Sequence, residues 1–141
     1  FALVALTFHG CSSGREGPQR AEVKGVVHLN GQPLEKGVIR FIPDGNTTGP
    51  QATVPIQNGK FAAEDRFGPV VGFHRVEIES TDDGGYAMDD EQAIQKLRKA
   101  GIKKIEVVKV PAVYNERSTL QQVVTESGPN EFQFYLISKN K

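Results

Sequence analysis

Along most of the chain apolar and polar positions alternate with a period of two, and the places where the alternation breaks divide it into segments. Over residues 22–29 Val23, Val27 and Leu29 fall on one side, and over residues 37–43 Ile39 and Phe41 do. Successive side chains of a strand point to opposite faces, so each run predicts a half-buried strand. Asn30-Gly31 and Lys36-Gly37 between them supply turn chemistry, and the pair reads as a β-hairpin. Ala52, Val54 and Ile56 mark a third strand, which Pro55 assigns to an edge or a bulge. Asn58-Gly59 then predicts a tight turn into a short fourth strand at residues 60–62. After the Phe67-Gly68-Pro69 turn, residues 72–79 set His74, Val76 and Ile78 against Phe73, Arg75, Glu77 and Glu79. His74 lies on the apolar face, which makes it a core imidazole hydrogen-bonded to backbone. Two last strands are expected at 120–126 and 131–138, the latter with Phe132, Phe134 and Leu136 on one face and Gln133, Tyr135 and Ile137 on the other.

Between residues 89 and 100 the period changes to that of a helix. Ala93, Ile94 and Leu97 form a narrow apolar stripe, Asp89, Asp90 and Glu91 open the segment, Lys96, Arg98 and Lys99 close it, and Gly101 follows. This predicts one amphipathic helix packed against a sheet edge or the end of the domain. Residues 105–110 are strand-like, and residues 111–115 read as an extended crossing segment. The expected fold is all-β, a two-sheet sandwich of about seven to eight strands with one short inserted helix.

Composition changes this picture little. At 141 residues the chain holds one domain, and 15 glycines and 8 prolines without tryptophan suit short strands and many turns. Seventeen basic residues balance seventeen acidic ones, so the totals give no field for nucleic acid or an anionic membrane. The opening is more informative. Residues 1–8 are apolar but too short to span a bilayer, and read as the tail of an export signal. The order apolar run, Gly10, Cys11, Ser12, Ser13 resembles a bacterial lipobox, although Phe8 and His9 stand where Leu and a small residue are usual. Cys11 is the only cysteine, which leaves it either as an unpaired thiol or as a site of lipid attachment. The apolar run before it and the polar residues 12–21 behind it favour lipid, with those residues as a flexible tether. The expected location is exported and anchored to a bacterial membrane, facing periplasm or surface.

A family resemblance rests on several phrases: Gly25-Val26-Val27 through Asn30-Gly31-Gln32-Pro33-Leu34, Gly37-Val38-Ile39-Arg40-Phe41-Ile42-Pro43, Gly59-Lys60-Phe61, and Gly72-Phe73-His74-Arg75-Val76. Val110-Pro111-Ala112-Val113-Tyr114-Asn115, Ser118-Thr119-Leu120 and Asn130-Glu131-Phe132-Gln133-Phe134 complete it. Together they resemble the transthyretin-like, or carboxypeptidase regulatory-like, domain of small exported bacterial lipoproteins, over residues 22–138 with a helical insert at 84–103. The resemblance implies a prealbumin-like sandwich with Greek-key wiring, in a group that generally lacks an established reaction. Two catalytic relatives of that fold are a poor fit. The urate-pathway hydrolases end in Tyr-Arg-Gly-Ser, whereas Tyr135 here is followed by Leu136, Ile137 and Ser138. The intradiol dioxygenases hold iron with two tyrosines and two histidines, and His28 is expected on the sheet face opposite His74.

Candidate chemistry is sparse. Asp82, Asp83, Asp89 and Asp90 flank Gly84-Gly85 and could supply oxygen ligands to calcium, but their spacing is not that of the twelve-residue calcium loop, and the helix N-terminus accounts for Asp89 and Asp90. No metal site is expected. Nucleophile elbow, zincin and phosphate-loop motifs do not occur, and Ser80, Ser118, Ser127 and Ser138 are expected to satisfy nearby backbone. The chain reads as a non-enzyme without cofactor. Its contact surfaces are expected on loops: Asp44, Asn46 and Thr47 in the segment 44–50, and the insert from Asp82 to Gly101 with Tyr86. Tyr114 joins Tyr86 as a candidate for carbohydrate or peptide recognition. The expected partner is an envelope protein or glycan, with membrane contact through the lipid anchor only and no nucleic acid. An unrecognised hydrolase is a further alternative, and an unprotected edge strand leaves self-pairing open.

Overall fold

The computed structural model describes residues 17–86 and 89–139, so the segment expected to be the tail of an export signal, Cys11 and residues 12–16 lie outside the described residues. Eight strands form: β1 (Val23–Leu29), β2 (Gln32–Pro33), β3 (Lys36–Pro43), β4 (Ala52–Gln57), β5 (Lys60–Ala63), β6 (Gly72–Ser80), β7 (Leu120–Val124) and β8 (Glu131–Leu136). They make one curled sheet in the order β2-β1-β5-β4-β3-β6-β7, with β8 also paired to β1. Every pairing is antiparallel except β1 with β8, which runs parallel from Lys24↔Glu131 to Leu29↔Leu136. The period-two reading of each strand holds: β4 is buried at Ala52, Val54 and Ile56, β6 at His74, Val76 and Ile78, and β8 at Phe134 and Leu136.

The hairpin expected over residues 22–43 does not form. Asn30 and Gly31 both take positive φ, 52° and 79°, and their turn returns the chain along β1 for only Leu29↔Gln32 and His28↔Pro33. Leu34, fully buried, then carries the chain to the far half of the sheet, where β3 runs between β4 and β6. Gly37 is not a turn residue. A Cβ there would lie 2.5 Å from the Glu79 carbonyl oxygen, so glycine is what lets β3 and β6 approach.

Curling brings strands that are distant in the sheet face to face. The Phe41 ring on β3 lies 6.2 Å from Phe61 on β5 and 6.0 Å from Phe132 on β8, and Phe61 lies 6.3 Å from Phe134. Phe41, Ile39, Val27 and Ile78 are wholly buried in this core, and burying side chains of this kind is worth about 1.5–3 kcal/mol each. Along β4 the pairing is with β3 alone, and β5 meets it only at Gln57↔Lys60. Pro55, which has no N–H to give, therefore sits on a strand with one almost unpaired side, as the edge expectation required.

The described residues between 81 and 110 lie outside the sheet. Within them α1 (Glu91–Lys99) starts at Asp90, whose carboxylate accepts from the backbone N–H groups of Gln92 and Ala93 at 3.0 and 3.1 Å. No residue of α1 is fully buried, and the expected packing of its apolar stripe stops at half-burial of Ala93, Ile94 and Leu97. Residues 105–110 form no strand either. Ile105 and Val107 turn partly inward, and Val110 packs against the core.

Candidate functional site

The polar side chains singled out by sequence are mostly spent on the fold. Asp82 closes the base of the insert: one oxygen accepts from Gly84 N–H at 2.9 Å, the other from Val108 N–H at 2.7 Å. These two bonds hold its carboxyl below the usual carboxylate range, because they stabilise the charged form. Asp83 accepts from Gly85 N–H at 2.9 Å in a second turn, and Asp90 is the helix cap already described. Asp89 is exposed beside it. The acidic run is thus a series of backbone caps, and no group of three or more His, Cys, Asp or Glu side chains among the described residues is arranged to hold a metal ion.

The segment 44–50 is tied to β6. Asp44 N–H donates to the Phe73 carbonyl at 3.0 Å, and the Thr47 hydroxyl accepts from Phe73 N–H at 2.7 Å. Gly72, at φ 134°, leaves room for this hydroxyl, since a Cβ there would lie 2.4 Å from it. Asn46 remains at the exposed tip.

Tyr114 ends a single 3-10 turn, Ala112–Tyr114. Its hydroxyl donates to the Ile137 carbonyl at 3.3 Å and accepts from Ile137 N–H at 3.2 Å, which pins the chain beyond β8. Its body packs on the core. Tyr114 is therefore a structural clip, and Tyr86, half-buried in the insert, is not brought near it by any recorded contact. Two aromatics stand clear among the described residues: Phe67, 62% exposed with the Arg66 guanidinium over its ring, and Tyr135, 64% exposed on the outer face of β8 and stacked on His28 of β1 with ring centroids 5.3 Å apart. The parallel register sets these two side by side (His28↔Tyr135). Only the pairing of the first and last strands brings them together, and a sequence does not display that pairing.

His74 lies fully buried with its ring edge-on to Phe41 at 6.2 Å. Because a carbonyl only accepts, the 3.1 Å contact between Nδ1 and Gly72 O fixes the proton on Nδ1. Nε2 then carries a lone pair with no partner among the described residues. Burial lowers the imidazole below its ordinary pKa, outweighing the Gly72 bond that raises it. His28 and His74 occupy opposite faces of the sheet, one outside under Tyr135 and one in the core.

Two buried polar groups act as joints. Ser118 donates to the Val76 carbonyl and accepts from Leu120 N–H at 3.2 Å, while Ser80 and Ser138 are similarly bonded to Asp82 N–H and the Asn30 side chain. Asn130 accepts from Thr125 N–H at 2.8 Å and donates to the Glu22 and Thr125 carbonyls at 3.0 and 2.9 Å, tying the starts of β1 and β8 to the end of β7. Sequence marks Asn130 only as a turn residue. No family model, curated protein or solved structure matches this chain.

Proposed function

We propose that this chain is an exported, lipid-anchored β-sandwich of the transthyretin-like kind, serving without a reaction of its own as a binding or structural module of a bacterial envelope. The fold part is supported by the pairing pattern. Strands β5-β1-β8 form one group and β4-β3-β6-β7 another, they meet at a single residue pair, and their inner faces share one core. The chain passes between the groups after β2, β4, β5 and β7, a crossing pattern that supports Greek-key wiring. The anchoring part is carried by one observation, the sole cysteine placed after the apolar run 1–8, His9 and Gly10 and leading into a polar tether. Replacing Cys11 by alanine is expected to move the protein from salt-washed membranes of the producing cell to the soluble fraction, high salt removing any contact made by charge alone. Unchanged partitioning would sink the anchor.

Recognition of a carbohydrate is a second reading, favoured by the Tyr135–His28 stack. An exposed ring supported from behind offers a flat apolar face to a sugar, and Tyr135 Oη already reaches Gln133 Oε1 at 3.3 Å as a polar rim. Tyr135→Ala should then abolish retention on immobilised envelope glycans; equal retention of parent and variant removes this reading.

A further inference from the structure

The neutral total conceals a local excess of one sign. Between residues 96 and 109 stand six basic side chains, Lys96, Arg98, Lys99, Lys103, Lys104 and Lys109, against the single acid Glu106. All six are exposed, and none makes an ion pair with another described residue. Interleaved with them are apolar side chains the fold leaves uncovered: Ile102 at 46% and Val108 at 47% exposure, beside the half-buried Ile94 and Leu97 of a helix in which nothing is buried. The earlier carboxylates of the insert keep their charge but stand apart from this stretch: Asp82 and Asp83 cap backbone at its base, and Asp89, Asp90 and Glu91 lie at the N-terminal end of α1, opposite the bases of its last turn. The arm is also held in shape. Asp82 fastens Val108, and Gly84 fits beneath Ile105, where a Cβ would come within 2.1 Å of the isoleucine methyl.

We propose that this arm is a docking surface for an anionic lipid bilayer, with residues 96–104 lying in the headgroup region. Charge complementarity selects an anionic partner. The apolar residues among the charges select a lipid surface over a soluble polyanion, because isoleucine and leucine gain by entering the acyl boundary and gain nothing from a hydrated polymer. The arm emerges beside the end of β1, where Val108 lines a hollow with Leu29, Pro33 and Asn58, whereas residues 17–20 enter at the opposite end of the strands. A chain also held through Cys11 would therefore lie along the membrane with both ends in contact. The arm's docking does not depend on that anchor.

The test uses the full chain without lipid, co-sedimented with vesicles of phosphatidylcholine alone and with vesicles containing about 30% phosphatidylglycerol. The apolar residues 1–8 serve both vesicles alike, so the preference for the anionic one reports the arm. Each basic residue at such a surface contributes about fivefold, and the combined change Lys99→Glu, Lys103→Glu and Lys104→Glu should cost about a hundredfold or more in binding to anionic vesicles. Ile102→Ser should weaken the same binding several-fold while leaving circular dichroism unchanged. Equal binding of the parent to both vesicles, or a triple variant that keeps the preference, overturns the proposal. Soluble polyphosphate that competes as well as vesicles do, with Ile102→Ser without effect, overturns the lipid assignment. Should the triple variant fail to fold, the parent alone decides: anionic binding must fall steeply as salt is raised, and a flat salt response overturns the proposal.

Discussion

At the scale of single residues, two ring nitrogens among the described residues are buried without a hydrogen-bond partner, Nδ1 of the half-buried His28 and Nε2 of the fully buried His74. The folded-state pKa of His74 lies below the unfolded value of about 6.5, so the folded protein resists a proton that the unfolded chain accepts. Stability is then level above the unfolded pKa and falls as pH drops toward the folded pKa, with a slope of at most about 1.4 kcal/mol per pH unit from this one group. Urea unfolding measured stepwise from neutral pH into mild acid should show the decline, and His74→Leu should flatten it; an unchanged slope in the variant would assign the proton elsewhere. The burial of His74 is legible from its place in the alternation. The roles of Asn130, Ser118 and Tyr114 are not, because each bonds backbone from a different part of the chain: Asn130 reaches Glu22, Ser118 reaches Val76, and Tyr114 reaches Ile137. A polar residue announces that it needs partners, and says nothing of where they lie.

Elements follow local rules, and here local rules succeed at the strands and fail at their pairing. Alternation in residues 23–29 and 36–43 identifies β1 and β3 correctly, but the assumption that neighbours in sequence pair is overruled by burial. β3 is covered on both edges by β4 and β6, and β1 by β5 and β8, which β1 and β3 could not provide for each other. For the insert the capping signals of α1 are local and hold, whereas the packing of its stripe is a tertiary matter and does not follow. Because residues 84 and 107 already touch, with a Cβ on Gly84 reaching Val107 Cγ1 at 3.3 Å, the insert can be bypassed. Replacing residues 85–106 by Gly-Gly should leave the unfolding free energy within about 1 kcal/mol of the parent. A loss several times larger in denaturant titration would mean that the insert contributes to the core.

For the whole molecule, equal totals of positive and negative charge describe solubility poorly and surface chemistry worse. Some acids serve as caps and cross-strand partners, as Asp90 at the start of α1 and Glu79 with Arg40 at 2.6 Å, while the bases from Lys96 to Lys109 are left to solvent. The β-rich character and the one helix could be read from the sequence, whereas β2 has no signal there and residues 105–110 form no strand; the curl, and with it the outward stack of His28 on Tyr135, depends on contacts between the two ends of the chain. Those ends also determine how the molecule carries a load. β1 and β8 lie parallel in register, one following the incoming chain and the other preceding the outgoing one, so tension between the two termini pulls them past each other lengthwise. In that geometry the interstrand hydrogen bonds share the force together and must break together, whereas an antiparallel terminal hairpin would open one bond at a time. The domain is built as a link that resists being stretched from its ends.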